Sequence, residues 1–274
     1  MSRYKLEIEY IGEGYNGSQI QGEIIDGKRN IEVPTIQNEV EKALRTLTKQ
    51  NTKIIFSGRT DAGVNAKGQV AHFDTNEVFD ETFVASKFIN SLNGLLPDDI
   101  SVKNAEKVSN HFHAQKSAKW RWYRYSVTNR AQRSAFDRFT FLVRNQLSPE
   151  NINRALSFLE GEHDFSSFKS SGSTTPDNVC KIFLAQAKKL DDKIIIDIVG
   201  TRFLYNMVRT IVGTILMFEK NETNPAEIKN ILSAKNRKIA GPAISPDGLT
   251  LMKVSYEDWT EDTKKKITNG DKLV

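Results

Sequence analysis

Residues 57–73 read SGRTDAGVNAKGQVAHF. Upstream, residues 53–57 (KIIFS) form a short β-prone run, and downstream residues 69–73 form another, so the quoted stretch is a loop between two strands. Gly58 and Gly63 bracket that loop and allow a sharp turn or close approach to a ligand. Arg59 and Asp61 sit two residues apart at a strand end. An aspartate placed there suits a nucleophile, a base, a metal ligand or a turn former. The plain alternative is an Asx-type turn with a surface ion pair.

Working outward, residues 5–10 alternate Leu6, Ile8 and Tyr10 against Lys5, Glu7 and Glu9, the period of a half-buried strand. Residues 22–33 are polar and irregular and read as an exposed excursion. Thr35 caps a helix whose stripe is Ile36, Val40, Ala43, Leu44 and Leu47. Phe83, Val84, Phe88 and Leu92 mark a second helix closed by Gly94, and residues 100–108 the next strand. Strand, helix, strand, strand, helix, strand suits an open sheet with helices on one face, an α+β arrangement. The second half repeats this loosely. It offers a strand at 120–128, a helix opened by Ser148-Pro149, and a hairpin of 182–187 with 193–200 across Asp191-Asp192. An apolar helix at 203–218, another capped by Asn224-Pro225 and a last strand at 249–256 complete it. The charged tail beyond Trp259 reads as loose. The expected boundary lies near residue 110, giving 1–110 and 111–274.

Composition narrows the class. Of 274 residues, 38% are hydrophobic and 27% charged, which fits a soluble globular protein, and no run approaches the ~18 apolar residues of a membrane span. The start, MSRYKLEIEY, passes directly into a strand pattern, so no signal or transit segment is expected and the expected location is the cytoplasm. Cys180 is the single cysteine, which excludes an intrachain disulfide and Cys-rich zinc sites. The four histidines lack metal spacing, and no Walker-type or Rossmann-type glycine loop is present. A net charge of +5 permits a polyanionic partner without demanding one.

Two more stretches can carry chemistry. In residues 118–125 (AKWRWYRY), alternation puts Arg121, Tyr123 and Tyr125 on one face and Trp120, Trp122 and Arg124 on the other. Such aromatics can stack on an unpaired base and such arginines can hold phosphates; the alternative is an ordinary strand with one solvated face. In residues 203–213 (FLYNMVRTIVG), Arg209 is a charge on an apolar helix. It either snorkels to the surface or pairs with a functional carboxylate.

Taken together, these stretches resemble the tRNA pseudouridine synthase A family. GRTDAGV with Gly68-Gln69-Val70 and His72-Phe73 is similar to its signature loop. Pro97-Asp98-Asp99-Ile100, Phe112-His113-Ala114 with Ser117-Ala118, Arg121 and Tyr123-Arg124-Tyr125, and residues 161–165 with Phe168 follow in order. Phe203-Leu204, Met207-Val208-Arg209, Ile211-Val212-Gly213, Pro246 and Gly248-Leu249 complete a likeness running from about Tyr4 to Val254. The resemblance implies two RRM-like α+β halves sharing a continuous antiparallel sheet with helices packed on one side, the pseudouridine synthase fold, assembled as a homodimer. It implies conversion of uridines 38, 39 and 40 in the anticodon stem-loop of tRNA, without cofactor or metal. It implies Asp61 as nucleophile, Arg209 as its partner, Arg59 as the residue that helps admit the base, and Tyr123, Leu249 and Arg121 around the substrate; Asp61, Tyr123 and Arg209 are expected to meet in one cleft between the two halves. An ionised carboxylate is needed for attack, and a paired arginine lowers its pKa. The sequence departs from the family pattern at Ile11, Ser18, Asn65, Asn206 and around Asp177-Asn178. Those departures motivate a second hypothesis, a non-catalytic tRNA-binding or folding protein on the same scaffold. An unrelated Asp-dependent hydrolase is a third.

Overall fold

The alternation at the N-terminus produces β1 (Ser2–Tyr10), in which Tyr4, Leu6, Ile8 and Tyr10 are buried and Lys5, Glu7 and Glu9 are half-exposed. In the structure, a computed structural model, the described residues are 1–20, 24–25, 28–29, 34–77, 79, 83–170 and 177–270. Two short strands, β2 (Ile24–Ile25) and β3 (Lys28–Arg29), pair within the expected excursion, and the rest of that segment lies outside the described residues. Helix α1 (Ile36–Thr48) starts where Thr35 Oγ1 accepts the Asn38 N–H at 3.2 Å and buries Ile36, Val40, Ala43 and Leu44. Strands β4 (Ile54–Phe56) and β5 (Asn65–Thr75) flank the Asp61 loop and pair antiparallel. A π-helical turn (Phe83–Phe88) runs into α2 (Ile89–Asn93), and β6 (Ile100–Val108) follows. Strand β1 lies between β5 and β6, antiparallel to both. Tyr4 stacks on Phe73 and Phe73 on Phe88, with centroids 5.6 and 6.1 Å apart, so the sheet's buried face packs on the helix.

The chain divides into two units, Met1–Ala118 with Thr250–Val254, and Lys119–Leu249 with Ser255–Val274. The second unit carries β7 (Trp120–Asn129), β8 (Phe141–Val143), α3 (Pro149–Ser157), β9 (Gly161–Asp164), β10 (Val179–Leu190) and β11 (Lys193–Gly200). Its ladder runs β7-β11-β10-β9, all antiparallel, with β8 parallel to β7. The expected β10–β11 hairpin forms, with Asp191 at φ +53° in its turn, a conformation aspartate tolerates. Ser148 caps α3, and Ile152, Ala155 and Leu156 are buried. Helices α4 (Met207–Asn221) and α5 (Glu227–Ala234) follow, then β12 (Leu249–Ser255), whose Thr250 and Leu251 pair parallel with Asn65 and Ala66 of β5. The fold is thus α+β, with mostly antiparallel ladders.

Two expectations are corrected. Through Gly270 the tail beyond Trp259 is not loose: α6 (Glu261–Asn269) is capped by Thr260 and buries Ile267, and Trp259 packs on Trp120 and Phe183. One apolar anchor and two aromatic contacts suffice where the other residues of the helix are polar. Helix α4 begins at Met207, not 203, because Asn206 takes a left-handed conformation at φ +59° and stops the helix from extending backwards. Among the described residues, no helix is long and apolar enough to cross a membrane.

Candidate active site

The Asp61 loop is an irregular backbone fastened by buried polar side chains. Ser57 N–H donates to the Val70 carbonyl at 2.7 Å and keeps the loop's entrance on the ladder. Gln69, fully buried, then acts as the hub. Its Oε1 accepts the Ser57 hydroxyl at 2.7 Å, and its Nε2 donates to the Gly58 carbonyl at 3.1 Å and to Tyr10 Oη at 3.4 Å. Tyr10 Oη and Thr60 Oγ1 share a hydrogen bond of 2.8 Å. Burial pushes the Tyr10 phenol up to about 12, so it keeps its proton at neutral pH. Thr60 N–H donates to Ser18 Oγ at 2.8 Å, and Ser18 N–H returns to the Thr60 carbonyl at 3.1 Å. The Asp61 carbonyl accepts the Val64 N–H at 3.1 Å across a turn in which Gly63 has φ +77°. Between these fastenings Asp61 is half-buried and Arg59 is exposed.

The N-terminal loop supplies much of the grip. A Cβ on Gly17 would stand 2.7 Å from the Thr60 carbonyl, and Gly17 has φ +81°, so only glycine lets the two loops come this close. Gly12 N–H donates to Asn65 Oδ1 at 2.9 Å. Ser18 Oγ and Asn65 Oδ1 therefore tie the N-terminal loop to the Asp61 loop and to the start of β5. Sequence reasoning missed Tyr10, Ser18, Thr60 and Gln69 as its supports. The available signal was a glutamine at a buried position of a strand that otherwise reads as apolar.

In the second unit, Tyr123 sits on β7 opposite Ile198, with its ring edge-on to Phe203 at 5.0 Å. Arg121 donates from Nη1 to the Thr201 carbonyl at 2.6 Å, and burial pulls its pKa below the usual value. On the other face of β7, buried Asp197 accepts Trp122 Nε1 at 2.7 Å and Arg124 Nε and Nη2 at 2.8 and 3.0 Å. The expected alternation of faces is therefore observed. Lys119 pairs with Asp258 at 3.3 Å, so the basic residues of this stretch all have partners within the protein. Arg124 in particular serves the fold.

Arg209 lies in the first turn of α4. Its Nε donates to the Ile244 carbonyl at 2.6 Å and its Nη1 to Asn206 Oδ1 at 2.7 Å. It is held at both ends of the guanidinium rather than snorkelling. The segment before β12 comes this near because Gly213 has no side chain: a Cβ there would stand 2.0 Å from the Pro242 carbonyl. Farther along, the Ser245 carbonyl accepts Tyr125 Oη at 2.7 Å, and Leu249 is buried just after the Pro246–Gly248 turn. The structure thus ties Arg209 and Tyr125 to the segment leading to Leu249. Arg59 and Asp61 share the loop of the first unit.

The remaining titratable candidates are structural. His72 Nδ1 accepts the Ala114 N–H at 3.2 Å, and burial, with Arg3 and His113 nearby, lowers its pKa to about 4. Burial pushes the Cys180 thiol up to about 11, which keeps it from acting as a thiolate at neutral pH. Among the described residues, no group of His, Cys, Asp or Glu side chains is placed to hold a metal ion.

A family model described as tRNA pseudouridine synthase matches residues 155–257, the part of the chain that includes Arg209 and Leu249. The likeness to individual proteins is much longer. A protein called tRNA pseudouridine synthase A in Exiguobacterium sp. is 41% identical over 258 residues, covering 94% of this chain and 99% of its own. The proteins of that name in Clostridium acetobutylicum and Geobacillus kaustophilus are 37% and 40% identical, each covering 93% of this chain and 100% and 95% of their own. The chain belongs to the tRNA pseudouridine synthase A family.

Proposed function

We propose that this protein isomerises uridine to pseudouridine at positions 38, 39 and 40 of the tRNA anticodon stem-loop, with Asp61 as nucleophile. The reaction breaks the N1–C1′ bond, turns the base and joins C5 to C1′. C5 loses a proton and N1 gains one, so electrons and atoms balance with no redox partner. Attack by the Asp61 carboxylate divides the transfer into two steps. Arg209 holds that carboxylate ionised, and Arg59 helps admit the base. Tyr123 stacks on the extruded uracil, with Leu249 and Arg121 beside it, which offsets part of the cost of unstacking. The protein works in the cytoplasm as a homodimer with tRNA as its partner.

The observation that carries this proposal is the fastening of the Asp61 loop. Five buried polar residues hold one half-buried carboxylate in a defined backbone, in a chain of this family. Two of the departures that motivated a binding-only protein contribute to that fastening. The test is to incubate wild type and Asp61→Ala with unmodified tRNA transcript and map pseudouridine at base resolution. Product in the anticodon arm from wild type alone is expected. Equal tRNA binding by both proteins with no product from either would favour the non-catalytic protein.

A further inference from the structure

Asn206 occupies the N-cap of α4, where an asparagine side chain ordinarily accepts a backbone N–H of the first turn. Here it makes no such cap. Its Oδ1 accepts Arg209 Nη1 at 2.7 Å, and its Nδ2 donates to Ser170 Oγ at 2.9 Å. The amide can face only one way, because a guanidinium has donors and no acceptor. The backbone at Asn206 is left-handed, φ +59° and ψ 10°, which turns the side chain away from the helix axis. The Ile244 carbonyl holds Arg209 Nε at 2.6 Å. At least two of the five guanidinium N–H groups thus go to neighbours on different segments, and two such points fix the plane.

We propose that Asn206 is a positioning residue: it gives up its capping bond to set the plane of Arg209 for its part in catalysis. This rests on the proposed pairing of Arg209 with the Asp61 carboxylate. If Arg209 tilts, that carboxylate loses part of its support, its pKa rises, and a smaller fraction is ionised at acidic pH. A residue that only shaped the helix start would change stability and leave the acidic limb of the rate profile unmoved.

The test uses the full-length protein on tRNA transcript under steady-state and single-turnover conditions. Asn206→Gly keeps a residue at ease with positive φ and removes only the side chain. Its kcat is expected to fall about 10- to 100-fold, the range for losing a hydrogen bond to a charged group. KM for tRNA is expected to change less than about 3-fold, and the acidic limb of kcat is expected to move to higher pH. Asn206→Asp keeps an acceptor oxygen and should return kcat to within about 5-fold of wild type. Ser170→Ala frees the amide to rotate and should cost a smaller part of kcat, which serves as the second probe if the glycine variant folds poorly. A wild-type kcat and an unmoved acidic limb in Asn206→Gly, or in Ser170→Ala where only that variant folds, would overturn the proposal. Asp61→Asn runs in parallel: if it stays active, the nucleophile assignment has failed, and Asn206 loses its role with it. If Asp61→Asn is inactive while Asn206→Gly is normal, only the positioning role has failed.

Discussion

The two places that carry the candidate residues are held in opposite ways. Asp61 rides on an irregular loop whose shape depends on side chains reaching across from residues 10, 18 and 69. Tyr123 rides on a strand whose backbone is fixed by a regular ladder, residue against residue, from Arg121–Gly200 to Thr128–Lys193. A ladder holds almost any sequence of suitable β-formers, so its side chains are available for other duties. A loop without a ladder must hold itself together with specific polar atoms, each of which is costly to leave unmade once buried. The first region should therefore lose function through many single changes outside the reactive residue. The second should lose it at few.

The sharpest attempt to break that contrast is at Asp197, beneath the Tyr123 strand. Asp197→Ala strands the guanidinium of Arg124 and the indole N–H of Trp122. A loss of about 3–4 kcal/mol is expected in urea unfolding, at the low end of buried pairs because Arg124 keeps some contact with solvent. If the loss were near zero, the ladder alone would hold the strand. Next comes pH. His72 has its pKa lowered from 6.5 to about 4. Between those values the unfolded chain binds the proton and the folded chain does not, so stability rises with pH across the window and is fully present above it. The change approaches roughly 3 kcal/mol over the whole window, and His72→Gln should flatten the slope. Gln69→Leu keeps the volume and deletes the hub of the Asp61 loop. About 2 kcal/mol of stability and about 10-fold in kcat are expected to go together. The smallest effect is at Tyr123→Phe, which keeps the edge contact to Phe203. At most about 1 kcal/mol, the scale of one hydroxyl's hydrogen bond, is expected in urea unfolding, and kcat measured beside it separates a chemical loss from a structural one.

What could be read in the sequence follows from the range of the interactions. The period of two in β1 and the Thr35 and Ser148 caps are local, and the elements they mark are present. Tyr10 and Thr60 are fifty residues apart, and nothing in either segment names the other. The partner of Arg124 lies on a strand more than seventy residues away, which is why holding a phosphate and facing solvent both stayed open for it. Helix α6 escaped notice because its one buried anchor, Ile267, gives no stripe to count. Apolar periodicity carries α4 back to 203 because it says nothing about a reversed φ at Asn206.

The return of residues 250–254 to the first unit has a consequence for the order of assembly. Strand β12 is laid parallel beside β5, and Gly68 has the Met252 carbonyl 2.6 Å from where a Cβ would stand. During translation, the ribosome must reach residue 254 before the unit synthesised first can be completed. Until then the Asn65–Ala66 end of β5 lacks its β12 partner, a long-separation contact of the kind that slows folding and exposes a nascent chain to mispairing.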